Sequence, residues 1–176
     1  MYNSKIENLL QINNITRSSF EEKAYYTMLL GVFETICKEI TKQNLKVHEK
    51  EKFRTSPNKL LATKHLVSKY VGCKLSEDEY FYLMNLFIAF FNKDNIRKIY
   101  DKKYRQNLLS KQNNKCIICN KNINISSSHL DHIVPWSYVG DELSDNYQML
   151  CESCNAKKNN SIWYEMAMLL LKSNIS

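Results

Sequence analysis

The chain has 176 residues, and its 25 Lys and Arg residues against 18 Asp and Glu residues give a formal net charge of +7. A composition of 44% apolar and 11% aromatic residues excludes a wholly disordered protein. The longest unbroken apolar runs, at 86–91 and 166–171, hold six residues each, whereas a membrane-spanning helix needs about 20. We therefore expect a folded protein without a membrane segment.

Charge and cysteine content divide the chain near residue 105. Residues 1–105 hold 19 basic and 12 acidic residues, whereas residues 106–176 hold 6 of each and four of the six cysteines. We predict a basic helical domain over 1–105, which binds DNA or a partner protein, and a second domain over 106–176. Because the N-terminus lacks the apolar stretch of a secretory signal, we expect a cytoplasmic protein, in which paired cysteines bind metal more often than they form disulfides.

The first domain is predicted to be mostly helical, since the chain contains only three glycines and two prolines. Capping-box residues at 18–22 predict a long amphipathic helix over about 19–43. Ser76 with Glu79 is a second capping box that opens a helix to about residue 91. Its stretch over 80–91 is apolar on nearly all sides, which is typical of a central core helix. Further helices are predicted over 3–13, from the Ser56-Pro57 cap to Gly72, and over 94–110.

The second domain begins with short apolar and polar stretches. Residues 117–124 and 129–134 predict a two-stranded hairpin that ends at Pro135. A polar loop follows over 141–146, and residues 152–172 predict a helix. This order describes a compact ββα unit, so we predict an α+β chain that is mostly α.

Two Cys-x-x-Cys pairs flank the predicted hairpin. Cys116 with Cys119 and Cys151 with Cys154 each place two sulfurs on one tight turn, and two such turns complete a zinc tetrahedron with metal–sulfur bonds of about 2.3 Å. Four thiolates leave no position for water, so the predicted Zn²⁺ is structural. The alternatives are four unrelated buried thiols or a redox pair, and neither explains two matched pairs.

Residues between and after the cysteine pairs suit phosphodiester hydrolysis. Asp131 and Asn155 offer the hard oxygen ligands that Mg²⁺ or Mn²⁺ prefers, and a neutral His132 can take a proton from water near pH 7. Lys158, one helical turn after Asn155, is predicted to touch a phosphate. Neighbours in a regular strand point to opposite faces, so Asp131 and His132 share a site only where the strand twists or ends.

These motifs resemble the HNH endonuclease family, also called ββα-metal nucleases. The resemblance covers about residues 102–160 and rests on Cys-x-x-Cys, Asp-His-Ile-x-Pro, Asp-Asn-Tyr-Gln-Met-Leu-Cys and Cys-x-x-Cys-Asn-x-x-Lys. It implies that His132 is the general base, that Asp131 and Asn155 hold the catalytic Mg²⁺ or Mn²⁺, and that Asn146 fixes a loop and orients His132. The implied activity is cleavage of double-stranded DNA to 3′-hydroxyl and 5′-phosphate ends.

One departure from the family pattern precedes the first cysteine. Asn113-Asn114 stand where many members have a glycine, and this difference concerns a turn rather than the chemistry.

Two basic stretches are candidate DNA contacts. Residues 93–121, which include Arg105 and Lys115, carry nine basic and two acidic residues, and residues 38–74 carry ten and three. We expect residues 93–121 to contact phosphates, whereas the charge of residues 38–74 is equally well explained as a solvated surface. His129 is interpreted as a structural residue, and the alternative is that it supports a metal ligand.

Several functional alternatives stay open. The chain is either a nuclease, in restriction or anti-phage defence, or a non-catalytic zinc module that binds nucleic acid. A third alternative is a nuclease effector subunit that is active only within a complex. The helical domain is expected to bind DNA, to form a homodimer or to dock on a partner protein.

Overall fold

The computed structural model describes residues 4–12 and 15–171. Contacts divide the chain into two compact units. The first, called the cysteine unit, consists of Met1–Thr27, Lys98–Pro135 and Asp145–Ser176. The second, called the helical unit, consists of Met28–Arg97 and Trp136–Ser144.

Helices dominate the described residues, and the predicted class, α+β and mostly α, is confirmed. None of the helices within those residues is long and apolar enough to cross a membrane. In chain order the elements are α1 (Ser4–Ile12), α2 (Arg17–Lys42), α3 (Lys46–Thr55), α4 (Lys59–Tyr70), α5 (Glu77–Asn92), α6 (Lys102–Lys111), β1 (Ser128–His132), α7 (Trp136–Val139), β2 (Tyr147–Cys151), α8 (Glu152–Lys158) and α9 (Tyr164–Leu171).

The compact units are not divided at residue 105. The cysteine unit includes residues 1–27 and 98–105, and the helical unit includes residues 136–144. The cysteine unit therefore carries 13 basic and 8 acidic residues, a balance of +5, and the helical unit carries 12 and 10, a balance of +2. Most of the positive surplus belongs to the unit that holds the clustered cysteines.

The helical unit packs around α5, as the apolar pattern predicted. Leu83 and Phe87 on this helix are fully buried. Phe33 of α2 lies 5.3 Å from the Phe87 ring, and Phe53 of α3 lies 5.1 Å from the ring of Phe91. These aromatic contacts join three helices into one core.

The segment with α7 belongs to the helical unit because of two aromatic contacts. The hydroxyl of Tyr138 donates to Glu34 Oε1 at 3.0 Å, and its ring packs on Phe33. The ring of Trp136 lies 4.2 Å below the ammonium of Lys93, a cation–π contact. Trp136 and Tyr138 contact residues that are far away in the chain, and such contacts leave no local pattern in the sequence. The division predicted at residue 105 therefore does not coincide with the boundaries of the compact units.

Helix starts agree with the predictions only in part. The predicted capping box of α5 is present: Ser76 Oγ accepts the Glu79 N–H at 3.3 Å, and Glu79 Oε2 accepts the Ser76 N–H at 2.6 Å. At the other starts a neighbouring residue supplies the cap. Thr16 Oγ1 accepts the N–H of the third residue of α2, Asn58 caps α4, and Asp101 caps α6.

Three predicted boundaries are therefore wrong. Ser18 and Ser19, which were predicted to cap α2, lie inside it, because the helix begins at Arg17. Ser56 ends α3 instead of beginning the next helix. The helix predicted over 94–110 begins only at Lys102, because the side chain of Asp101 satisfies the first free backbone N–H groups there.

The predicted hairpin pairs the wrong segments. Strand β1 is antiparallel to β2, not to residues 117–124, and its register places Asp131 opposite Gln148 and His132 opposite Tyr147. Residues 117–119 instead form a tight turn that Asn120 follows with φ +61°, and Asn122 makes an isolated antiparallel bridge with Lys115. The hairpin prediction failed because the segment wraps around the cysteines rather than extending.

The predicted last helix is divided in two. Helix α8 ends at Lys158, where Asn159 takes a left-handed φ of +43°, and α9 begins at Tyr164. Helix α8 packs against both strands and against α9. The break lets α9 cover the cysteine core, where Tyr164 and Met168 contact the buried residues.

Candidate metal centres and active site

Four cysteine sulfurs converge in the cysteine unit. The Sγ atoms of Cys116, Cys119, Cys151 and Cys154 lie within 4.8 Å of one another, and those of Cys119 and Cys151 are 3.8 Å apart. A tetrahedron with zinc–sulfur bonds of about 2.3 Å has edges of about 3.8 Å, so the sulfurs fit one zinc ion. Within the described ranges, no other group of three or more His, Cys, Asp or Glu side chains converges in this way.

Two turns bring the sulfurs together. Before the first pair, Asn113 and Asn114 have φ angles of +55° and +56°, so they adopt the left-handed conformation that favours glycine and, after it, asparagine. Cys116 donates its N–H to Lys121 O at 2.9 Å and closes the first knuckle. In the second knuckle, Cys151 ends β2 and caps α8.

Burial is the largest influence on the pKa of Cys116, Cys119 and Cys154. It raises the pKa of Cys154 and of Cys119. At Cys116 burial also raises the pKa, but backbone N–H donors, that of Cys119 first, outweigh it and lower the pKa overall. Burial raises the pKa of Tyr164 to about 12, and the nearby Cys154 sulfur adds to the shift. Three buried thiolates and one half-buried thiolate, that of Cys119, need a cation to compensate their charge.

Asn146 fixes the loop that follows β1. Its side chain is buried, with Oδ1 accepting the Val134 N–H at 2.7 Å and Nδ2 donating to Val134 O at 2.8 Å. Its own carbonyl accepts the Ile133 N–H at 3.0 Å. Asn146 therefore holds the two residues directly after His132.

Asp131 accepts two hydrogen bonds on one oxygen. The Lys158 ammonium lies 2.9 Å from Asp131 Oδ2, and Gln148 Nε2 donates to the same oxygen at 3.0 Å. Both polar contacts that the described residues make with this carboxylate use Oδ2. Its second oxygen, Oδ1, is therefore the one that a divalent cation can take.

His132 lies at the end of β1, on the opposite face from Asp131. Its ring packs against Tyr147, with centroids 4.8 Å apart, and Tyr147 shares a hydrogen bond of 2.6 Å with the hydroxyl of Tyr100. The carbonyl of His132 accepts the Lys158 ammonium at 2.6 Å. Lys158 thus contacts both neighbouring residues at the point where β1 ends.

Asn155 lies on α8, three residues before Lys158. Side chains at this spacing share one face of a helix, and α8 packs against β1. Asn155 is half-buried. Asn155 therefore lies on the same face of α8 as Lys158, the residue that contacts Asp131.

The residues predicted to contact nucleic acid differ in exposure. The side chain of Lys158 is only 1% exposed, and its ammonium contacts Asp131 and the His132 carbonyl. It is therefore not available to a phosphate, contrary to the prediction from the sequence. Arg105 is half-buried and donates to Ser128 O at 3.1 Å. Lys115 and His129 are exposed.

Sequence reasoning missed two polar residues of the site. Gln148 is buried opposite Asp131 and also donates to Glu165 Oε1 at 2.9 Å. Glu165 in turn pairs with Lys23. The register of β1 with β2 would have placed Gln148 opposite Asp131, but the sequence analysis paired β1 with the wrong segment.

A family model described as HNH endonuclease matches residues 116–171. The match is about a third of the chain, and it extends from the first clustered cysteine through Asp131, His132 and Asn155 into α9. The resemblance to the HNH endonuclease family, which the motifs indicated, is therefore confirmed for this segment. No curated protein matches the chain, and no solved structure does.

Proposed function

We propose that the HNH endonuclease domain over residues 116–171 hydrolyses phosphodiester bonds in double-stranded DNA. The observation that carries this proposal is the end of β1, where Asn146 holds the loop after His132 and Lys158 contacts both Asp131 and His132. Such fixed positions are what a general base and a metal ligand need, because small displacements of reacting groups slow catalysis strongly.

Each residue has a defined part in the proposed reaction. His132 accepts a proton from the attacking water at a ring nitrogen. Asp131, through Oδ1, and Asn155, through its amide oxygen, are the residues that would hold Mg²⁺ or Mn²⁺. When bound, the ion supplies positive charge for the phosphate and the leaving oxygen. Products with 3′-hydroxyl and 5′-phosphate ends are expected from the family resemblance.

Zinc has a structural part in the proposal. Four sulfur ligands leave no open position for water or substrate. The zinc site would instead stabilise the small core formed by Leu109, Ile118, Met149 and Leu150, which lie in one cluster with the cysteines. Loss of zinc is therefore expected to abolish activity by unfolding the domain.

DNA contact is proposed for the basic surface of the cysteine unit. Lys98, Lys102, Lys103, Lys111, Lys115 and Lys121 are all exposed. Residues 98–121 contain one acidic residue, Asp101. Such a surface attracts phosphates without reading sequence.

Cytoplasmic restriction or anti-phage defence is our proposed setting. A homodimer or a partner protein would be bound through the helical unit, where Val47, Leu61 and Phe81 are exposed apolar residues. Because one site of this kind cuts one strand, a double-strand break would require a dimer or two encounters.

Digestion of a supercoiled plasmid tests the proposed activity. The zinc-loaded full chain is incubated with Mg²⁺, Mn²⁺ or EDTA, and the ends are sequenced. We expect nicked plasmid with either ion, and none with EDTA. Binding without nicking under every condition would favour the non-catalytic zinc module. Nicking that appears only in a cell extract would favour an effector subunit that works within a complex.

A further inference from the structure

Gln148 connects two carboxylates beneath the candidate active site. Its Nε2 atom donates to Asp131 Oδ2 at 3.0 Å and to Glu165 Oε1 at 2.9 Å. The side chain is buried, and its position on β2 is directly opposite Asp131. Both hydrogens of the amide group are therefore engaged by acceptors that cannot donate when ionised.

This arrangement sets the orientation of the Gln148 amide. A reversed amide would place its oxygen against two carboxylates, which is repulsive, so the nitrogen must face both. Glu165 is itself held by an ion pair with Lys23, and its side chain is 14% exposed. The amide thus projects from a strand and is anchored by two helices, α9 and α2.

Two donors on one oxygen restrict the Asp131 carboxylate. Gln148 approaches Oδ2 from β2, and Lys158 approaches the same atom from α8 at 2.9 Å. Rotation of the carboxylate would break both contacts and leave a buried ammonium without its counter-charge. The carboxylate is therefore held with Oδ1 directed away from both donors.

We propose that Gln148, anchored by Glu165, is a positioning residue that presents Asp131 Oδ1 to the catalytic metal. The inference rests on the proposed function, in which Asp131 is a metal ligand. Gln148 touches neither metal nor substrate. Groups that hydrogen-bond a ligating carboxylate typically change metal affinity by about 10–100-fold when they are removed.

Mn²⁺ binding to the zinc-loaded full chain tests the inference without reference to cleavage. Free Mn²⁺ is measured by electron paramagnetic resonance, and the site is defined as the binding lost in Asp131→Ala. We expect Gln148→Leu, which keeps the size of the side chain, to weaken Mn²⁺ binding at that site by about 10-fold.

Gln112→Leu is the matched control. Gln112 also bonds β2, with Nε2 donating to Met149 O at 2.9 Å and Oε1 accepting the Met149 N–H at 2.8 Å, but it does not bond Asp131. A role that is only structural predicts that both variants lose stability and that both keep wild-type affinity when folded. The positioning role predicts weakened binding for Gln148→Leu alone.

The outcomes separate this inference from the proposed function. Wild-type affinity in folded Gln148→Leu overturns the inference. Should that variant fail to fold, Glu165→Ala decides instead, because it releases the same amide without altering β2, and unchanged affinity there overturns the inference equally. If Asp131→Ala binds Mn²⁺ as tightly as the wild type, the proposed metal site itself is wrong.

Discussion

Replacement of Asn146 by alanine tests whether the loop after β1 depends on one side chain. The substitution removes two hydrogen bonds, at 2.7 and 2.8 Å, which join Asn146 to the backbone N–H and C=O of Val134. Asn146 and Val134 are each 4% exposed, so water does not readily replace the lost partner. A buried polar group left without a partner costs about 1–3 kcal/mol.

Two such groups give an expected loss of about 2–6 kcal/mol in the free energy of unfolding. This is a large part of the roughly 5–15 kcal/mol that stabilises a typical domain. Urea denaturation of the zinc-loaded protein, followed by circular dichroism, measures the change. The control is Asn107→Ala on the exposed face of α6, for which we expect less than about 0.5 kcal/mol.

A second variant divides the effect between the two bonds. Asn146→Asp keeps an acceptor for the Val134 N–H but places an oxygen against the Val134 carbonyl, so it should also destabilise the protein. If Asn146→Ala changed stability no more than Asn107→Ala does, the hydrogen bonds would not hold the loop, and the reasoning would be refuted.

Three further predictions concern the cysteine unit. A chelator that removes zinc should abolish the cooperative melting of this unit, and a retained transition would contradict a structural zinc. Replacing exposed Lys102 and Lys103 with Gln should reduce the slope of log affinity for DNA against log salt by about 2, and an unchanged slope would exclude both from phosphate contact. Lys158→Met should cost about 3 kcal/mol in unfolding free energy because it leaves the Asp131 charge buried without its partner. The control, Lys157→Met, alters an exposed neighbour and should cost less than about 0.5 kcal/mol. Equal effects would show that the buried ion pair does not stabilise the fold.

Sequence patterns correctly predicted features that depend on residues close together in the chain. The Cys-x-x-Cys spacing predicted the sulfur cluster because each pair lies on a single turn. Ser76 and Glu79 predicted the start of α5 because a capping box involves only four residues. The Asp-His-Ile-x-Pro motif placed Asp131 and His132 at the end of a strand, where the structure has them.

Contacts between distant residues could not be predicted in the same way. The partner of β1 depended on whether residues 117–124 extend or wrap around the cysteines, and hydrophobic patterns do not distinguish the two. Once the wrong partner was chosen, Gln148 could not be placed opposite Asp131. Lys158 looked like a phosphate contact because lysines are usually exposed, and only the packing of α8 on the sheet buries it.

Comparison of two histidine variants is the most direct test of the central claim that His132 acts as the general base of a nuclease. Plasmid nicking in Mg²⁺ is measured for His132→Ala and for His129→Ala, which alters an exposed residue of the same strand. Loss of a general base typically costs about 10²–10⁴-fold in rate. We predict that loss for His132→Ala alone, with wild-type folding in both variants, and nicking by His132→Ala at the wild-type rate would contradict the account.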